Sequence, residues 1–188
     1  MTVTLMASSC TTPKVPETAD VYLVALDEFP DAIILELAEH YEKKFSLRVS
    51  ILPSLSIGAQ AVDKGRRQVI AEELIELIKA KYQYLMNNST SIVIGLTMTD
   101  MYIRRYTWRF AFTLRGHERY AVVSSARLDP VNLGDEANEA LMRTRIRKMV
   151  TKNIGILYYR MPQSIDPNSV LYGQVAGIEE LDRIGEDC

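Results

Sequence analysis

Three short runs of apolar, β-prone residues, Val21-Tyr-Leu-Val-Ala-Leu26, Leu47 to Leu52 and Ser91 to Leu96, alternate with two stretches of helical periodicity. A chain that runs strand, helix, strand, helix, strand lays its strands side by side in one direction, because each helix carries it back to the start of the next strand. The order predicts an α/β layer with parallel pairing. The first run ends at the turn-like Asp27-Glu-Phe-Pro30, and Pro30 suits the first turn of a helix. Ile33, Ile34, Leu37, Ala38 and Tyr41 then mark an apolar face, with Glu36, Glu39 and Lys43 opposite. Pro53, lacking an N–H, is expected to close the second strand. Loop chemistry continues to about Arg67. A second helix is expected from Gln68 to Tyr82, with Ile70, Leu74, Leu77 and Ile78 inward and Glu72, Glu73 and Glu76 outward. The almost wholly apolar third strand suits a central position covered on both faces.

The pattern then changes. Trp108 to Leu114 and Tyr120 to Ser125 flank the turn-like Arg115-Gly-His-Glu118, which predicts a hairpin and hence an antiparallel edge. A third helix is expected from about Asp135 to Tyr158, with Leu141, Ile146, Met149 and Val150 inward. Its Arg143, Arg145, Arg147, Lys148 and Lys152 are distributed around the helix and read as a solvated face. After Pro162 the tail reads as irregular, broken by Pro167, Gly173, Gly177 and Gly185.

Composition narrows the chemistry. A length of 188 residues, 47% of them hydrophobic and 24% charged, suits one ordinary globular domain. A net charge of -2 gives no field that would attract phosphate backbones, so nucleic acid is not an expected partner. The aromatics from Met101 to Phe112 are accordingly read as strand core and edge. No apolar run approaches the length needed to span a bilayer. Residues 1–20, which include Cys10, are expected to form a flexible arm; a remnant lipoprotein signal ending at Cys10 is the alternative. Residues 21–188 then make up one domain, cytoplasmic under the first reading and membrane-anchored through Cys10 under the second.

Two cysteines, Cys10 and Cys188, exclude a disulfide framework, and two histidines, His40 and His117, leave few of the commonest metal ligands. Both histidines are read as solvated surface residues rather than members of a Ser-His-Asp triad. No closely spaced glycines stand between a strand and a helix, so nucleotide-binding loops are absent. The Asn87-Asn-Ser-Thr90 stretch has ordinary loop composition.

Several segments carry a resemblance. Trp108-Arg-Phe-Ala-Phe-Thr113 and Ala121-Val-Val-Ser-Ser-Ala-Arg-Leu128, preceded in order by Val21-Tyr-Leu-Val24, Glu28-Phe-Pro30, Ala61 to Gln68, and Gly95-Leu-Thr97 with Asp100, resemble segments of the archaemetzincins, a family of zinc metallopeptidases. The resemblance implies a metzincin-like mixed twisted sheet of about five strands with an antiparallel edge hairpin, packed by three main helices. It also implies a signature, HExxHxxGxxHC, then four residues, CxM, seventeen residues and CxxC. Two histidines one helical turn apart would hold zinc while the glutamate handles the proton of the metal-bound water.

Placing Ile154-Gly155 inside HExxH follows that signature without a gap. Lys152 and Ile156 then stand at the two helix histidines, Asn153 at the glutamate, Tyr159 at the glycine and Pro162 at the third histidine. Gln163, Asn168 and Cys188 stand at three of the four cysteines of the structural zinc site, and Val170 at the methionine. Lysine brings a cation where a cation should bind, isoleucine brings methyl groups, asparagine has no titratable proton and proline no donor pair. No catalytic residue and no metal site are therefore expected, and no cofactor.

The expected function is that of a pseudo-metalloprotease, with a peptide or protein as partner. Its old cleft either still binds peptide through Trp108, Phe110, Lys152, Tyr158 and Tyr159, or has filled in, with Lys152 paired to a carboxylate, Ile156 in the core and the two tyrosines packed over it. Two alternatives stand beside this: an enzyme, using zinc held by His117 or acidic side chains, or Lys152 with Tyr158 or Tyr159; and a structural or interaction protein.

Overall fold

The structure, a computed structural model, describes residues 18–87 and 90–187. Expectations for Cys10 and the arm before residue 18, for Asn88 and Ser89, and for Cys188 lie outside the described residues. Ala19 and Asp20, placed from sequence in the arm, are buried. The Asp20 carboxylate accepts from the guanidinium of Arg48 at 2.7 and 3.1 Å, which holds its pKa below the usual carboxylate value.

Strands β1 (Val21–Leu26), β2 (Val49–Leu55) and β5 (Ile92–Thr97) pair in parallel, with β1 between the other two. β8 (Tyr120–Ser124) adds to β5 in parallel, and β7 (Thr113–Gly116) closes the edge antiparallel to β8, giving the order β2-β1-β5-β8-β7. This is the α/β mixed sheet of five strands with an antiparallel hairpin edge that the sequence predicts. A smaller sheet of β3 (Val62–Asp63), β4 (Gln68–Ile70) and β6 (Met101–Tyr102) lies outside it. Runs of two or three residues are too short to show a period, so this second sheet leaves no signal in the sequence.

Alternation along the strands divides the core. Val21, Leu23, Ile92, Ile94, Ala121 and Val123 face helices α1 (Asp31–Phe45) and α3 (Glu139–Leu157). Tyr22, Val24, Leu26, Val93, Val122 and Leu114 face α2 (Ala71–Tyr82) on the other side. With both faces covered, the inner strands have no polar side, which is why they read as continuous apolar runs. Gly95 lets α2 approach closely: a Cβ there would stand 2.5 Å from Ile78 Cδ1 and 3.1 Å from Leu26 Cδ1.

Several expectations need correction. Pro53 lies inside β2 rather than ending it; β2 is an edge strand, where a missing N–H removes no ladder bond. The second helix begins at Ala71, because Gln68–Ile70 is taken up by β4, and Leu77 is only half-buried. The hairpin's first strand starts at Thr113 rather than Trp108, and residues 103–112 form a loop. The third helix begins at Glu139, where the Asn138 side chain caps it by accepting from Leu141 N–H at 2.9 Å. The tail contains a short helix, α4 (Ile178–Arg183).

The largest correction concerns the cations of α3. Arg145, Lys148 and Lys152 are buried rather than solvated. Arg145 forks onto Asp182 at 2.7 and 2.8 Å, and Lys148 donates to the carbonyls of Leu181 and Asp182, so both reach α4. Arg143 and Arg147 both reach Glu36 on α1. No helix among the described residues is long and apolar enough to cross a membrane.

Candidate functional site

β7 ends the sheet, with β8 on one side and no strand on the other among the described residues. Thr113 and Arg115 stand opposite Val123 and Ala121, so both lie on the α3 face. Between them and α3 a cleft of about 770 Å³ opens, floored by Met149 and Lys152 and closed on the far side by Gln163 and residues 173–176. Phe110, Ala111, Phe112 and Val175 give it apolar walls. At its mouth Tyr106 and Trp108 stack with centroids 4.4 Å apart, and Trp108 is 56% exposed.

The cleft's charge has one sign. Lys152, Arg115 and Arg109 line it, and among the described residues no Asp or Glu does. Lys152 is 4% exposed, and its ammonium donates to the carbonyl of Tyr172. Burial, with a smaller push from Arg115, lowers its pKa to about 8. Burial also lowers the pKa of Arg115, whose Nη1 donates to Asn153 Oδ1 at 3.2 Å. Asn153 is fully buried beneath, donating through Nδ2 to Met149 O at 2.8 Å and Thr113 Oγ1 at 2.9 Å. The far wall is held by Ser164 N–H to Leu171 O at 2.9 Å and Gly173 N–H to Ser164 O at 3.0 Å.

Of the residues expected here, Trp108, Phe110 and Lys152 line the cleft together. Tyr158 and Tyr159 do not. Burial, with Asp20 nearby, raises the pKa of Tyr158, while Tyr159 is exposed and meets Tyr158 edge-on. The filled cleft with Lys152 paired to a carboxylate is corrected: its partner is a backbone carbonyl, and Ile156 packs half-buried against the core without lining the space. The sequence marks Met149 only as an inward helix residue and Arg115 only as part of a turn, and gives Arg109 no role in a site. The signal for Arg115 was its two-residue spacing from Thr113, masked because it borders the Gly116 turn, where His117 and Glu118 have φ of 50 and 60°.

Zinc does not fit the side chains present. Among the described residues no group of three His, Cys, Asp or Glu converges. His117 pairs with Glu76 of α2 on the opposite face, at 2.5 Å. His40, expected to be solvated, is half-buried on α1, its buried Nε2 without a hydrogen-bond partner among the described residues, and burial, ahead of Arg147, lowers its pKa. Val170 is buried in the core, and Pro162 and Asn168 are exposed.

The chain leaves α3 through a left-handed residue at Arg160, φ 57°, with Met161 N–H reaching back to Gly155 O at 3.0 Å. The resemblance puts the glycine of the turn one residue earlier, at Tyr159. Setting it on Arg160 moves the three ligand positions to Asn153, Leu157 and Gln163. Leu157 has no lone pair, and the Asn153 amide is committed to three protein partners. Neither register provides a zinc site.

Three solved structures share this architecture. Archaemetzincin from Methanopyrus kandleri is 26% identical with a TM-score of 0.68, over 89% of this chain and 87% of that one. Archaemetzincin from Archaeoglobus fulgidus, solved with malonate, is 20% identical with a TM-score of 0.68, over 89% and 94%. A zinc-dependent peptidase from Methanocorpusculum labreanum is 19% identical with a TM-score of 0.71, over 89% and 95%. No protein-family model and no curated protein matches the chain. The chain has an archaemetzincin-like fold.

Proposed function

We propose that this archaemetzincin-like protein binds peptides in the cleft between β7 and α3 and does not hydrolyse them. The observation that carries this reading is Lys152, a buried ammonium in the cleft floor on the helix that would carry the zinc ligands. A cation there repels a divalent ion by several kcal/mol at about 4 Å, even with the softened dielectric of about 20 typical of protein sites. The surrounding binding surface stays open. An extended peptide adding along the outer side of β7 would gain backbone hydrogen bonds and set its side chains against Phe110, Phe112 and the Tyr106–Trp108 stack.

The test combines metal analysis, peptide digestion and binding on one preparation. The expected result is less than stoichiometric zinc after zinc loading, peptides intact by mass spectrometry, and saturable binding of a fluorescent extended peptide that weakens in Trp108→Ala. Stoichiometric zinc, with hydrolysis lost on chelation, would overturn the reading.

One observation favours a second reading, amine chemistry at Lys152: its pKa of about 8 leaves part of it unprotonated near neutrality. Peptide cleavage by metal-free protein, abolished in Lys152→Met, would establish that reading over the first.

A further inference from the structure

We infer that the cleft is a carboxylate seat, in which the C-terminal carboxylate of a bound peptide sits between the ammonium of Lys152 and the guanidinium of Arg115. The inference rests on the peptide-binding reading and deepens it.

α3 itself provides the control. Its arginines all have carboxylates: Arg143 has Glu139 and Glu36, Arg145 has Asp182, and Arg147 has Glu36 and Glu186. Lys148 is buried against two carbonyls at the C-terminal end of α4, with Asp182 nearby. Lys148 thus has two carbonyls and acidic neighbours, whereas Lys152 has one carbonyl and, as its charged neighbour, a second cation, Arg115. Among the described residues no carboxylate lies within ion-pair distance of Lys152, Arg115 or Arg109.

An ammonium has three donors, and Lys152 spends one on Tyr172 O; a guanidinium has five, and Arg115 spends one on Asn153. Two cations on facing elements, one buried and one half-buried, with no anion at ion-pair distance among the described residues, are unfavourable unless a ligand supplies the missing charge. A carboxylate accepts through both oxygens and answers both cations at once.

The space around the cations favours an organic carboxylate over a small inorganic anion. A cleft of about 770 Å³ with Phe112, Met149 and Val175 on its walls has room for apolar side chains beside the charged group. The Tyr106–Trp108 stack stands at the mouth, where residues further from the terminus would lie. A peptide ending at Lys152 would extend outward along β7 toward that stack.

Fluorescence anisotropy with three labelled versions of one apolar hexapeptide tests this: a free C-terminal acid, a C-terminal amide, and the amide with an internal glutamate. The expected result is that the acid binds at least about tenfold tighter than either amide, as loss of one partner of a desolvated charge pair implies. In Lys152→Met the acid-over-amide ratio should fall to near one, and in Lys152→Arg it should be largely restored. Free acetate at high concentration should compete with the acid. If acid and amide bind alike, the carboxylate seat is overturned while peptide binding stands. If none binds, the peptide-binding reading falls as well. Tight binding of the internal-glutamate amide would overturn the assignment to a chain terminus.

Discussion

The guanidinium of Arg115 donates to the amide oxygen of Asn153 at 3.2 Å, joining the outermost strand to the C-terminal half of the long helix. The same amide's nitrogen holds Met149 O and Thr113 Oγ1, so one fully buried side chain positions both walls of the cleft. Replacing it by leucine, of similar volume, leaves the half-buried Arg115 without its acceptor. Asn153→Leu is expected to cost about 2 kcal/mol. The check is the urea midpoint, which should fall with the slope unchanged.

Lys152 makes stability depend on alkaline pH. Its pKa is about 8 in the folded protein, below the 10.5 of an unperturbed lysine. Between those values the unfolded chain binds the extra proton, so stability rises with pH across this window. Below it the buried charge is a standing cost. Around Lys152 stand Arg115 from β7 and the Tyr172 carbonyl from the tail, with no carboxylate among the described residues to cancel that cost. Lys152→Met should therefore be more stable than the parent by up to about 3 kcal/mol at pH 7. The difference should shrink as pH rises from 8 to 10.5, which thermal melts across that range would show. A constant difference at every pH would contradict this account.

Arg145 and Asp182 hold α4 against α3. Arg145 is 4% exposed, and it meets Asp182 at 2.7 and 2.8 Å and Leu128 O at 3.1 Å. Asp182→Asn leaves that guanidinium buried with a weaker partner, at a cost of about 2 kcal/mol, less than for a fully buried pair because Asp182 reaches solvent. Hydrogen exchange should speed up first in residues 178–184. Arg145 also holds the Asp182 carboxyl below its ordinary pKa, so the stability this pair contributes is present above that ordinary value. It is lost as pH falls through the lowered one, and the acid-induced loss should be smaller in the asparagine variant.

Gly95 and Ile78 form a coupled pair. A methyl group on Gly95 would overlap Ile78 Cδ1 at 2.5 Å, so Gly95→Ala should destabilise by about 1–3 kcal/mol through overpacking. Ile78→Val removes that carbon. The double variant should recover part of the loss, giving a favourable coupling energy of about 1 kcal/mol in a double-mutant cycle.

The elements that could be read from sequence are those whose burial repeats along the chain. α1 shows its face as Ile33, Ile34, Leu37, Ala38 and Tyr41, all buried in the structure. β1 and β5 show none of the alternation of a half-buried strand because helices cover both their sides. β3, β4 and β6 are too short to carry a period, and the loop over residues 103–112 looked like a strand because its aromatics are β-prone wherever they are placed. In the site, Lys152, Trp108 and Phe110 came from the family resemblance, while Arg115 was hidden beside a turn.

By itself the sequence determined the order of the main strands and helices, the parallel layer with its antiparallel edge, and the scarcity of zinc donors. These follow from residue type and local spacing, since an apolar face must be buried wherever it occurs and a side chain without a lone pair cannot bind metal in any fold. Only the tertiary structure decided which cations have partners. Arg145 meets Asp182 across 37 residues, and Arg115 meets Asn153 across 38. Lys152 stops at a carbonyl 20 residues on, with no carboxylate beside it among the described residues. Spacing along a helix places a lysine on a face, but whether a counter-charge stands opposite depends on distant segments brought together by packing. The open, positively charged cleft is a property of that assembly.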